Sequence, residues 1–199
     1  MLEEWNYFAD KQEPEALIFN ELYKQIINFT LSDDFKDTNL MLKYLSSDFL
    51  YNTFTNLLLY HKDSEWFDNE STHIREDYGE VVKISLNNTY KYLSRRQGKN
   101  PNKWKWGNTN KIQFKHILSN KFPFNFIANS KEHSVSGSSE SINKKFYDIY
   151  NPFKNIKSQA IRMIIDSNKP YESLFMINTG NSGHFHIIHY KNHINKIKE

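Results

Sequence analysis

The sequence predicts an α+β fold, with helices in the first half of the chain and antiparallel strands in the second. Up to about residue 100, apolar residues recur at spacings of three to five, as they do on one face of a helix. After Pro101 they fall into short alternating or continuous runs, which are typical of strands. The 199 residues contain no internal repeat and no long linker, so they fit one domain or two small ones.

Three stretches of the first half predict helices. The stretch Glu15–Leu31 places an apolar stripe on one helix face, formed by Leu17, Leu22, Ile26 and Phe29. The stretch Asp37–Tyr60 predicts two shorter helices, with Ser47-Asp48 as the cap between them. The clearest helix is predicted from about Thr72 to Gln97, and Gly98 supplies its C-terminal stop.

The second half predicts strands and loops. The alternation in Lys111–Ile117 predicts a strand, whereas Phe122–Val135 has the composition of a loop. The short apolar runs Ala160–Asp166 and Leu174–Asn178 flank Asn168-Lys-Pro-Tyr, which has turn composition. These two runs therefore predict a β-hairpin.

The composition excludes several classes of protein. Lys and Arg number 26 against 23 Asp and Glu, a formal charge of +3, which is far below that of a dedicated nucleic-acid binder. The absence of cysteine excludes disulfide scaffolds, thiolate zinc sites and cysteine nucleophiles. No apolar run reaches the ~18 residues that a membrane span needs. Only 38% of the residues are hydrophobic although 16% are aromatic, so we expect a chain that requires a partner surface.

The run Lys103-Trp104-Lys105-Trp106 interleaves cations with aromatic rings, as single-stranded nucleic-acid binders do. The patch is short, and Trp106-Gly107 before a strand is also typical of a buried corner. Because the overall charge is modest, we predict no nucleic-acid partner, and a binding module that uses Trp104 and Trp106 stays open as an alternative function.

Four histidines near the end are spaced H-x-H-x2-H-x3-H, at His184, His186, His189 and His193. Imidazole is a good ligand for zinc or nickel, but neither a carboxylate nor a cysteine lies nearby in sequence to complete a closed site. Surface or hydrogen-bonded histidines are therefore the simpler interpretation. A metal-binding module that uses His184, His186 and His189 is the other alternative function.

Two further groups of polar residues identify no activity. Ser182 in Gly180-Asn181-Ser182-Gly183 lacks the second glycine of a nucleophile elbow, so the segment predicts a turn. The carboxylates Glu76, Asp77 and Glu80 are expected on the solvated face of the long helix. Glycine-rich phosphate loops are absent from the sequence.

A specific signal comes from four segments taken together and in order. These are Trp104-Lys-Trp-Gly with Phe114-Lys-His, Gly137-Ser-Ser-Glu-Ser-Ile-Asn, Ala160-Ile-Arg-Met-Ile-Ile-Asp, and Thr179-Gly-Asn-Ser-Gly with His189-Tyr. They resemble the W-x-W-G … F-x-H, G-D-G-x-T-V-N, S-Y-R-x-x-x-D and T-G-Q-S-G … S-P-H-Y segments of the penicillin amidase (penicillin acylase) family. Ser138 and Ser139 stand where that family has Asp and Gly, and Ile187-Ile188 stands where it has Ser-Pro.

The resemblance implies a location within a larger enzyme. Members of that family are N-terminal-nucleophile amidohydrolases with an αββα fold, which cut themselves into an α and a β chain. The serine that begins the β chain attacks the amide, and its own α-amine acts as the base. The four segments resemble the last third of the β chain, which places the serine, the oxyanion asparagine and the calcium ligands upstream of Met1. We therefore assign no catalytic, cofactor-binding or metal-binding residue within this chain.

The resemblance also sets the expected organisation and partners. Residues 1–100 are expected to form a helical segment and residues 101–199 a strand-rich segment that completes the sheet of the hydrolase. Together they are expected to make one structural unit, a fragment of a larger protein that is inactive when isolated. The expected partner is the remainder of the acylase, meaning the α chain and the N-terminal part of the β chain, or else a second copy. No membrane partner is expected. Relatives are often periplasmic or secreted, and the acyl substrate depends on upstream pocket residues.

Overall fold

A computed structural model describes residues 1–35, 37–45, 49–139, 141, 143–147, 155–158, 161–177, 179–180, 182–184 and 186–194. The chain divides into two compact units. The first comprises Met1–Trp5 and Pro14–Trp104, and the second comprises Asn6–Glu13 and Lys105–Glu199. The expected segments 1–100 and 101–199 stay a prediction, and in the structure residues 6–13 belong with the second unit.

The first unit contains four helices in the described residues. They are α1 (Glu15–Leu31), α2 (Thr38–Leu45), α3 (Phe49–Tyr60) and α4 (Tyr78–Gln97). The two shorter helices predicted between residues 37 and 60 are thus confirmed, while their predicted cap at Ser47-Asp48 lies outside the described residues. None of the helices in the part of the chain that the structure describes has the length and apolarity needed to cross a membrane.

Helices α1 and α4 pack against each other along their length, and their contact is partly polar. On α4 the buried positions are Val81, Ser85, Thr89 and Leu93, at the spacing of one helix face. On α1 the side chain of Glu21 is fully buried and accepts hydrogen bonds from Lys24 Nζ at 2.9 Å and from Gln25 Nε2 at 2.6 Å. Pairing within α1 therefore offsets the cost of burying this carboxylate.

Helix α4 begins at Tyr78, six residues after the predicted start at Thr72. The Asp77 carboxylate accepts from the Glu80 amide at 2.9 Å, and the Glu80 carboxylate accepts from the Asp77 amide at 3.1 Å. This reciprocal capping box fixes the first turn. The expectation of a solvated face is wrong for Glu76, which is buried and accepts from the Asn69 amide and the Thr72 hydroxyl.

The second unit contains three two-stranded antiparallel sheets in the described residues. They pair β1 (Lys111–Ile112) with β2 (His133–Ser134), β3 (Lys145–Tyr147) with β4 (Asn155–Ser158), and β5 (Ile161–Ile164) with β6 (Leu174–Ile177). The predicted α+β class and the predicted hairpin, which is β5–β6, are confirmed. Its predicted end residues Ala160 and Asn178 lie outside the described residues. The β3–β4 pair was not predicted.

Strand β1 is much shorter than the predicted strand Lys111–Ile117. The amide of Phe114 donates to the Ser130 hydroxyl at 2.9 Å, and the amide of His116 donates to Asn129 Oδ1 at 2.9 Å. Because side chains take these backbone donors, the strand ladder cannot continue past Ile112. The predicted loop 122–135 also contains a short helix, α5 (Phe124–Ile127), as well as β2.

Candidate functional site

A segment near the N-terminus, which we call the strap (residues 6–13), joins two of the four motif segments. The amides of Trp106 and Gly107 donate to strap carbonyls at 3.0 and 2.8 Å, and the amide of Gly137 donates to a third at 2.7 Å. A strap amide donates in turn to the Ser136 hydroxyl at 3.0 Å. The strap therefore holds the W-x-W-G segment and the segment that begins at Gly137 in one place.

Trp106 and Asn110 add side-chain contacts to the same corner. Both are fully buried. The indole N–H of Trp106 donates to the Gly137 carbonyl at 2.8 Å, and the Asn110 amide donates to the carbonyls of Gly137 and Val135 at 3.0 and 2.7 Å. Because these buried donors are all satisfied, the corner is well suited to a fixed geometry.

Trp104 lies in the first unit and is also buried. Its indole N–H donates to the Gly98 carbonyl at 2.6 Å, and its ring centroid lies 5.9 Å from that of Tyr90. With Trp106 buried in the second unit, neither indole of the Lys-Trp-Lys-Trp run presents a face on which a base could stack.

The backbone of Gly137 has a conformation that glycine alone adopts easily, with φ of +97°. A Cβ atom at this position would overlap the carbonyl oxygen of Asn143. The Asn143 side chain donates to the Ser136 carbonyl at 3.2 Å and accepts from Arg162 Nη2 at 2.9 Å. This arrangement links the Gly137 segment to β5, which carries the arginine of the third motif. Residues 140, 142 and 160 of these segments lie outside the described residues.

The fourth motif folds back on itself. Gly180 lies against the carbonyl of His189, where a Cβ atom would overlap the oxygen, and the amide of Ser182 donates to the same carbonyl at 3.3 Å. The Ser182 hydroxyl accepts from the His184 amide at 3.1 Å, which is typical of a turn. Asn181 lies outside the described residues.

Tyr190 brings the F-x-H and H-Y motifs together. Its ring lies against that of His116, with centroids 6.0 Å apart, and its buried hydroxyl donates to the Ala128 carbonyl at 3.0 Å. Beside it, Lys191 Nζ donates to the Asn129 carbonyl at 2.8 Å. Burial raises the pKa of the Tyr190 phenol, because the ionised form would lose its hydration.

The raised pKa of Tyr190 predicts how stability changes at alkaline pH. The native state holds the phenolic proton more tightly than the unfolded chain, so this stabilisation is present below pH ~10 and is lost as pH rises through the native pKa. We expect Tyr190→Phe to lower the free energy of unfolding by about 1 kcal/mol at pH 7. We also expect the variant to lose less stability than the parent above pH 10, as measured by urea unfolding between pH 7 and 11.

The matched control for this prediction is Tyr171→Phe, because the Tyr171 side chain is fully exposed. It should leave both the stability at pH 7 and the alkaline decline unchanged. If Tyr190→Phe and the parent lose stability in parallel above pH 10, Tyr190 does not contribute to the alkaline decline.

The histidines of the alternative metal-binding module have separate surroundings in the structure. His184 and His186 are exposed, His189 Nδ1 lies 3.2 Å from Asn192 Nδ2, and His193 Nδ1 accepts from the Ile177 amide at 3.4 Å. Over the described residues, no three side chains of His, Cys, Asp or Glu form a group that could hold a metal ion.

The motif segments are thus held by hydrogen bonds to one another, to the strap and to neighbouring loop residues. They lie in a chain of the α+β class, with helices in its first half and antiparallel strands in its second. A family model described as penicillin amidase matches residues 1–199. The chain belongs to the penicillin amidase family, and this membership supports an acylase-like hydrolase. A search of curated proteins found none that matches this chain.

Proposed function

We propose that this chain is the C-terminal portion of a penicillin acylase-like amidohydrolase, which hydrolyses a linear amide or N-acyl bond. The catalytic serine is supplied by a segment upstream of Met1, and the isolated chain is inactive. Family membership and the ordered motif segments support this proposal. The structural observation that most strongly supports this proposal is the exposed apolar surface of the β5–β6 hairpin.

Both faces of this hairpin carry exposed apolar side chains. Ile161, Met163 and Phe175 lie on one face, and Ile164 and Leu174 lie on the other, because successive residues of a strand point to opposite sides. All five side chains are between 56% and 61% exposed. An antiparallel pair with one solvated face alternates apolar and polar residues, so this pattern indicates a hairpin that is covered on both faces.

The remainder of the acylase is the partner that this surface fits best. In the described residues β5 and β6 pair only with each other, which leaves backbone donors and acceptors on their outer edges, apart from the Ile177 amide, which donates to His193 Nδ1. Such edges pair readily with further strands. A strand from the α chain or from the N-terminal part of the β chain would extend the hairpin into a larger sheet, and a second copy would take its place when that partner is missing.

The proposed chemistry divides between the two parts. The hydroxyl of the upstream serine attacks the amide carbonyl while the serine α-amine, whose ordinary pKa is about 8, accepts the proton. The C–N bond then breaks, the amine leaves with that proton, and water releases the acyl group. The residues of this chain hold the framework of Trp106, Asn110 and Gly137 and contribute no reacting group. In this proposal no cofactor lies in this chain, and calcium ligands belong to the upstream part.

The test combines the 199-residue chain with the serine-initiated segment encoded by the reading frame immediately upstream. We expect no hydrolysis of a phenylacetyl amide by either part alone and hydrolysis by the mixture. Substituting alanine for the upstream serine should abolish it. Met163→Lys on the hairpin face should weaken the complementation, whereas the control Tyr171→Lys in the hairpin turn should not. Hydrolysis by the purified 199-residue chain alone would refute the proposal.

A further inference from the structure

A second apolar surface lies apart from the hairpin in sequence, in a segment that we call the basic loop (residues 115–131). Its three most exposed apolar side chains are Ile117, Phe122 and Phe126, at 91%, 84% and 78%. The rings of Phe122 and Phe126 contact each other edge to face, with centroids 6.4 Å apart. Large apolar side chains exposed together in this way mark an interaction site.

The charged side chains of the basic loop are all cationic. Lys115, Lys121 and Lys131 are exposed, and the sequence contains no Asp or Glu between Glu80 and Glu132. Cations therefore lie among the exposed apolar residues of this segment, and the segment contains no carboxylate. The complementary surface is anionic, and it must also accept aromatic and aliphatic side chains.

The geometry of the loop favours a lipid surface over a protein strand. The β5–β6 hairpin is regular and has open edges, which suits pairing with another strand. The basic loop instead has irregular backbone and a four-residue helix, α5, and it presents the paired rings of Phe122 and Phe126. Exposed Phe with interspersed Lys and no acidic residue combines apolar burial with attraction to anionic lipids, the two contributions on which binding at a membrane interface depends.

We propose that the basic loop binds anionic membrane surfaces. Phe122 and Phe126 enter the boundary between headgroups and acyl chains, and Lys115 and Lys121 contact lipid phosphates. This attachment is peripheral and reversible. It goes beyond the proposed hydrolase function, and it departs from the expectation of no membrane partner, which rested on the lack of a spanning segment.

The test is sedimentation of the 199-residue chain with vesicles of phosphatidylcholine, either alone or mixed with phosphatidylglycerol. We expect binding to the mixed vesicles only, and we expect that binding to weaken as the salt concentration rises. Replacing both lysines, Lys115→Gln with Lys121→Gln, should reduce the partition coefficient on the order of thirtyfold. Phe122→Ser with Phe126→Ser should abolish measurable binding.

The control variant removes exposed apolar residues from the hairpin instead, through Ile161→Ser with Met163→Ser. It should keep the vesicle binding of the parent. Equal binding to both vesicle types, or equal losses in the loop and hairpin variants, would overturn the proposal. A third arm adds soluble polyaspartate. If polyaspartate binds the parent and the Phe122→Ser, Phe126→Ser variant equally well and displaces both from vesicles, the surface serves an acidic polypeptide and the lipid proposal fails.

Discussion

Substitution of Gly137 by alanine is expected to unfold much of the second unit. An L-residue at φ of +97° is itself strained by about 1–2 kcal/mol. The new Cβ would in addition overlap the carbonyl of Asn143, whose side chain bonds to Arg162. Because backbone atoms rather than a flexible side chain must move, we expect a loss of about 3 kcal/mol or more.

Gly98 offers a matched control, because it also has a positive φ, +88°, yet a Cβ atom there would meet nothing within 4 Å. Gly98→Ala should therefore carry the conformational cost alone, about 1 kcal/mol. Hydrogen exchange followed on peptides of each unit measures both effects locally. We expect Gly137→Ala to remove amide protection around residues 106–110 and 133–137. If the two alanine substitutions have equal effects, the overlap of the new Cβ with the Asn143 carbonyl does not contribute to the loss of stability.

Removal of the Trp106 side chain is expected to have the second large effect. The indole is fully buried, so Trp106→Ala loses its apolar contacts and leaves a cavity, at a cost of about 3–5 kcal/mol. Trp106→Phe should cost less, about 1–2 kcal/mol, because the Gly137 carbonyl keeps its hydrogen bond from Asn110.

The control for Trp106 is Trp66→Ala, because Trp66 is half-exposed in the first unit. Urea unfolding followed by far-UV circular dichroism gives the free energy for each variant. We expect the order Trp106→Ala, Trp106→Phe, Trp66→Ala, from most to least destabilised. A Trp106→Ala protein as stable as the Trp66→Ala protein would exclude Trp106 as the centre of the corner.

The helices could be predicted because their signals are local. Gly98 ends α4 as expected, and Pro14 and the apolar spacing locate α1. The predicted start of α4 at Thr72 is too early because Ile74 lies four residues before Tyr78, at helical spacing, although its side chain is mostly exposed. The Asp77-x-x-Glu80 pattern indicates the correct start of α4, because a capping box is a stronger signal than one apolar residue.

The rest could not be predicted because it depends on contacts between distant residues. From the sequence alone the charged Glu21 is expected at the surface. Its burial follows only from the packing of α1 on α4. The short extent of β1 depends on hydrogen bonds from Phe114 and His116 to side chains more than ten residues away. No pattern marks Asn110 as buried, because its partners Val135 and Gly137 lie 25 and 27 residues further along.

The candidate site likewise combines features that local sequence signals predict with features that depend on contacts between distant residues. The motif segments could be recognised in the sequence because their order resembles that of a family, and the family model confirms that family. Their mutual geometry could not be predicted, because the strap that joins Trp106 to Gly137 is separated from both by about a hundred residues and carries no motif.

The position of the strap in the chain has a consequence for synthesis on the ribosome. Lys11 bonds to Ser136, 125 residues later, while residues 14–104 build the first unit in between. Chain elongation at about 5–20 residues per second leaves the strap without its binding site for several seconds. The helical unit can complete its own packing during that interval. The strap is thus expected to be among the last parts of the second unit to reach its native place, although it is synthesised before the whole of residues 14–104.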